Sequence, residues 1–129
     1  MSVPESSGQP PKAAQDVLDA GVIQGLRELG GEQDPGLLLE LIDLYLTDAP
    51  QRMAEIEQSL AAGDWKLLER AAHTLKSASA NIGALNLSAL CQQLELKARA
   101  SDAQVCTNLY RLSSENYARV ASALRGLRS

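Results

Sequence analysis

The chain has 129 residues, enough for one compact domain and not for two. Twelve Lys and Arg against 16 Asp and Glu give a net charge of −4, which argues against nucleic acid as the main partner, since phosphate contacts need a basic surface. Aromatic residues make up only 3% and Phe is absent, so Leu and Ala must fill the interior, favouring helix–helix packing over a sheet.

Residues 1–15 hold Pro4, Pro10, Pro11 and Gly8 among several Ser, and read as a disordered leader or linker ahead of a domain over residues 16–129. Asp19 caps a short helix with Val22, Ile23, Leu26 and Leu29 on one face, stopped by Gly30-Gly31. Asp34-Pro35 is a start signal, an acid cap followed by proline in the first turn. From there Leu38, Leu41, Ile42, Tyr45, Leu46, Met53, Ile56 and Leu60 mark one long helix to about Ala62, kinked at Pro50.

Gly63-Asp64 is a stop followed by a cap, and the next helix runs from about Trp65 to Ile82 with Gly83 as terminator. Leu85 to Arg99 forms another, with Leu87, Leu90, Cys91, Leu94 and Ala98 inward. Ser101-Asp102 starts the last, where Val105, Leu109, Leu112, Asn116, Val120, Leu124 and Leu127 keep a helical period. Asn116 is a polar intruder on that face and needs a hydrogen-bond partner if buried. The expected fold is all-α: an antiparallel four-helix bundle with a short additional N-terminal helix.

The only histidine, His73, lies in Ala71-Ala72-His73-Thr74-Leu75-Lys76-Ser77-Ala78-Ser79-Ala80-Asn81-Ile82-Gly83. With Leu68 at zero on a helical wheel, Ala72, Leu75, Ser79 and Ile82 fall within roughly 40° of the core direction, while His73 falls near 140°. The imidazole therefore points outward among small residues, with Lys76 close along the helix surface. Ordinary imidazole titrates at about 6.5, so a neutral ring is a usable nucleophile near neutral pH. A phosphoryl group on it would add negative charge, which Lys76 can offset as a point cation.

Other chemistries find little support. No phosphate-binding loop of the form G-x-x-x-x-G-K-[S/T] is present. Ser77 lies one turn from His73, but an i, i+4 pair on one helix is common, and no orienting carboxylate is evident from the sequence. Cys91 and Cys106 lack metal-type spacing and read as free buried thiols, and no metal site is expected. No run of about 18 apolar residues spans a bilayer, and no secretion signal opens the chain. A cytoplasmic protein without membrane or nucleic-acid partners is expected.

His73-Thr74-Leu75-Lys76-Ser77, followed by Ser79-Ala80-Asn81-Ile82-Gly83, resembles the signature of histidine-containing phosphotransfer (HPt) domains: histidine, any residue, leucine, lysine, a small residue, then a glycine some six residues later. Asp64, the Leu-rich segment from Leu37 and the run Cys91-Gln92-Gln93-Leu94-Glu95 resemble the same family. Ser77 is a departure, for the family more often has glycine there.

The resemblance implies a phosphorelay intermediate, with no kinase activity of its own. His73 is the expected phospho-acceptor and Lys76 the charge-neutralising support. Ser77, Ala80 and Arg70 are expected docking residues, with weaker candidates from Leu46 to Met53, while Asp64 and Gly83 are structural. The expected partners are response-regulator receiver domains or a hybrid sensor histidine kinase. The chain is expected to be a monomer without a cofactor, magnesium residing on the receiver. The alternative is an unphosphorylated structural or adaptor bundle; a small-molecule phosphotransferase or phosphatase would need acid–base groups that are not evident.

Overall fold

The computed structural model describes residues 17–128; the expected leader lies outside the described residues. Among the described residues five helices follow in order: α1 (Ala20–Gly30), α2 (Leu37–Ala62), α3 (Trp65–Asn81), α4 (Leu85–Arg99) and α5 (Ala103–Arg128). Short connections turn α2 to α5 back on one another as an antiparallel four-helix bundle, and α1 packs on α2.

Local chemistry sets the boundaries. Asp19 accepts a hydrogen bond from the Val22 N–H, and Asp64 accepts one from the Leu67 N–H, so both cap donors that a helix start leaves unpaired. Asp102 does the same for Val105. Gly63 takes a left-handed conformation, φ 70°, and the Asp64 N–H reaches back to the Ser59 carbonyl, closing α2. The α2 start corrects the sequence expectation: Asp34 and Pro35 form a turn, closed by the Leu37 N–H on the Asp34 carbonyl, and Gly36 is the cap. Pro50 lies within α2, which continues on both sides of it.

Ile42 and Ile56 from α2, Leu68 and Leu75 from α3, Leu87 and Leu94 from α4, and Val120 and Leu124 from α5 are fully buried in one core. Each such side chain contributes about 1.5–3 kcal/mol on leaving water. Two expected core residues lie elsewhere. Leu29 is 74% exposed at the last turn of α1, and Leu112 is exposed on α5, where Ser113 turns inward instead. α1 is too short to keep its final turn over the bundle, and the α5 stripe drifts by one residue at that level.

Polar ties supplement the core. The Tyr45 hydroxyl and Ser79 Oγ share a buried 2.8 Å hydrogen bond between α2 and α3, and the Tyr45 ring stacks at a tilt on Tyr117 of α5. Arg128 grips Asp43 with two hydrogen bonds, 2.6 and 2.8 Å, fastening the end of α5 to α2. Cys91 and Cys106 are free and buried; burial raises the Cys91 thiol to about 12, which leaves it protonated and inert.

Candidate functional site

Ala72 and Leu75 turn into the core, so helical geometry drives His73 between them to the outer face of α3. Its side chain is 58% exposed. The ring is nevertheless held: Nδ1 lies 3.0 Å from Oε2 of Glu95 on α4. Glu95 sits at the α3–α4 seam beside the inward Leu94 and Ala98, and little of its side chain meets water.

Glu95 is gripped from three sides. Lys76 Nζ donates to Oε1 at 3.0 Å, and Arg99 Nη2 donates to Oε2 at 3.2 Å, the oxygen that also faces His73. Burial pushes the carboxyl up, but hydrogen bonds from Lys76 and His73 and the charges behind them outweigh it and hold the group below its ordinary value. Glu95 is therefore ionised near neutrality and can only accept hydrogen bonds. A neutral His73 must then carry its proton on Nδ1 and donate it inward. Nε2 is left with its lone pair facing solvent, the tautomer a nucleophile requires.

Residues expected from the sequence fall into three places. Arg70 lines a shallow pocket of about 310 Å³ with Glu69, His73, Thr74 and Glu95, beside the ring. Lys76 reaches Glu95, so it shares the carboxylate of His73. Ser77 is exposed one turn beyond His73, and Ala80 is half-buried on the following turn. Asp64 and Gly83 lie at the two ends of α3, away from the ring. Gly83, at φ 87°, also receives α1: the Asp19 N–H donates to its carbonyl at 2.8 Å, and a Cβ there would meet the Asp19 oxygen and Val22 Cβ at 3.3 Å.

Glu95, Glu69 and Arg99 have no role among the residues expected from the sequence. The available signal was spacing: Glu69 and His73 are four apart on α3, and Glu95 and Arg99 are four apart on α4. Each pair occupies one side of its helix, and antiparallel packing sets the two pairs face to face. Among the described residues no group of three or more His, Cys, Asp or Glu could hold a metal ion.

A second feature lies one to two turns beyond His73. Leu26 of α1, Leu41, Leu44, Tyr45 and Asp48 of α2, and Ala78, Asn81 and Ile82 of α3 line a groove of about 290 Å³. Leu44 is 66% exposed at its edge. The α2 wall of this groove lies mostly before the Leu46–Met53 stretch expected from the sequence.

Known proteins resemble this chain in sequence and fold. The chain is similar to histidine-containing phosphotransfer protein 4 of Arabidopsis thaliana, 30% identical over 101 residues, covering 77% of this chain and 79% of that protein. Its fold matches the crystal structure of histidine-containing phosphotransfer protein B from Pseudomonas aeruginosa PAO1 with a TM-score of 0.81 and 29% identity, covering 88% of this chain and 96% of that one. A histidine-containing phosphotransfer protein from rice shares the fold at a TM-score of 0.77 and 22% identity, covering 87% and 81% of the two chains. The Hpt domain family model matches residues 40–128, and the chain belongs to that family.

Proposed function

We propose that the protein is a phosphorelay intermediate that takes a phosphoryl group from a receiver-domain aspartate onto Nε2 of His73 and passes it to another receiver, or back. The observation that carries this reading is the exposed imidazole whose inner nitrogen is bound to an ionised carboxylate 3.0 Å away.

In the forward step the Nε2 lone pair attacks phosphorus. The P–O bond of the aspartyl phosphate breaks, its electron pair leaves with the receiver carboxylate, and an Nε2–P bond forms. The phosphorylated ring keeps its Nδ1 proton and gains positive charge, which Glu95 offsets through the same hydrogen bond. Lys76, half-buried and 3.0 Å from Glu95, stands beside the added phosphoryl charge. The bundle contributes a positioned nucleophile, and the magnesium and acidic cluster of the reaction belong to the receiver. An adaptor bundle would have no use for this tautomer control.

The receiver docks over the face shared by α1, α2 and α3. The groove with Leu44 at its edge offers an apolar contact, Arg70 lies beside the ring, and Ser77 and Ala80 follow on the next turns of α3. A Leu44→Asp substitution is expected to raise KM for the receiver several-fold and leave kcat largely unchanged.

The test is transfer from a phosphorylated receiver domain to the wild type and to His73→Gln. Acid-labile label is expected on the wild type alone, with both proteins equally helical. Loss of fold in the variant would make His73 structural, and equal labelling would place the acceptor elsewhere.

A further inference from the structure

His73 and Glu95 form one cross-helix rung, and a second lies one turn away. Arg99 of α4 donates through Nε to Glu69 of α3, while its Nη2 reaches Glu95 Oε2 at 3.2 Å. The residue numbers fit a single antiparallel register, in which His73 faces Glu95 and Glu69 faces Arg99. The four side chains thus form a continuous chain from Glu69 through Arg99 and Glu95 to His73. Glu69 also lines the pocket beside the ring.

A glutamate has three rotatable bonds, and its carboxylate plane is not set by one partner. Lys76 is a point cation on a flexible stem and orients Oε1 weakly. Arg99 differs, because its guanidinium is planar and its donors keep a fixed mutual geometry. Fastening Nε to Glu69 fixes that plane, and Nη2 then holds Oε2 where the His73 proton meets it. The Arg99 side chain is 55% exposed, so without Glu69 it would be free to swing into solvent.

We propose that Arg99, anchored by Glu69, is a positioning residue that locks the Glu95 carboxylate onto Nδ1–H and so holds His73 in its nucleophilic tautomer. This rests on the phosphotransfer reading for its kinetic consequence, though not for its structural one. Lysine at position 99 keeps the charge but cannot hold two partners with one rigid fork.

The experiment uses the full chain labelled with 15N. His73 is the only histidine, so long-range 1H–15N correlation reads one imidazole without assignment. Wild type, Arg99→Lys, Glu69→Gln and the double variant are compared at one alkaline pH, at which their ring 15N shifts show a neutral imidazole in each.

Wild type is expected to show the Nδ1–H tautomer, and each single variant a mixture with Nε2–H. The double variant is expected to match the singles, because both break the same link. Transfer kcat is expected to fall about 3- to 10-fold in all three with KM and melting temperature unchanged. Pure Nδ1–H in the single variants would overturn the proposal, as would a rise in KM alone, which would make Arg99 a docking residue. Failure of the wild type to accept phosphate would sink the functional reading and leave the tautomer result to decide this one.

Discussion

Two of the bundle's seams that bury polar side chains treat them differently. On the α3–α4 seam Glu95 has His73, Lys76 and Arg99 around its two oxygens. On α5, Ser113 Oγ and Asn116 Oδ1 are buried with no hydrogen-bond partner among the described residues. A buried carboxylate is tolerable only when fully paired, so its retention with three partners marks a site that the geometry serves. The α5 groups show the opposite case. They occupy positions on a core-facing stripe where an apolar residue of similar size would pack without loss.

This contrast can be broken or sharpened by substitution. The largest effect is expected for Glu95→Ala, which frees the tautomer and rotamer of His73. Transfer is expected to fall about 10- to 100-fold, since a small misplacement of a nucleophile costs that much. Single-turnover transfer beside circular dichroism would check it, and an unchanged rate would empty the α3–α4 seam of functional meaning. Lys76→Gln is expected to cost less, about 3- to 10-fold in the same assay, because Arg99 still pairs with Glu95.

Acid should distinguish the seams as well. The Glu95 carboxyl is lowered in the fold from its ordinary 4.5. Its contribution to stability is therefore fully present above that value and is lost as pH falls through the folded one. Glu95→Gln is expected to remove part of the drop in urea midpoint between about pH 7 and about pH 3. Ser113→Ala should act in the other direction and least of all, with stability unchanged or raised by up to about 1 kcal/mol at either pH. A clear loss in that variant would show that Ser113 has a satisfied bond after all.

Much of this arrangement was legible in the sequence, for identifiable reasons. Asp19, Asp64 and Asp102 cap as their chemistry requires, and Gly63 and Gly83 take the backbone that glycine permits. The helical period placed His73 outward because Ala72 and Leu75 leave no other direction.

The failures share a cause. Pro35 suggested a helix start, yet a turn closed on the Asp34 carbonyl moved it to Gly36. Leu29 and Leu112 obey the period and still face solvent, because period alone does not say where a partner helix ends or drifts. Glu95 reads as an ordinary polar residue next to an inward Leu94. Its role arises only when α4 packs against α3 and brings residues 73 and 95 together, a pairing that one helix considered alone does not reveal.

The position of the phosphoryl group on the ring tests the role of the His73–Glu95 pair most directly. With a single histidine in the chain, 15N spectra of the phosphorylated protein identify the bonded nitrogen unambiguously. Phosphorus is expected on Nε2, with Nδ1 still protonated against Glu95. Phosphorus on Nδ1 would contradict it, because that nitrogen would have to leave the carboxylate that the geometry assigns to it.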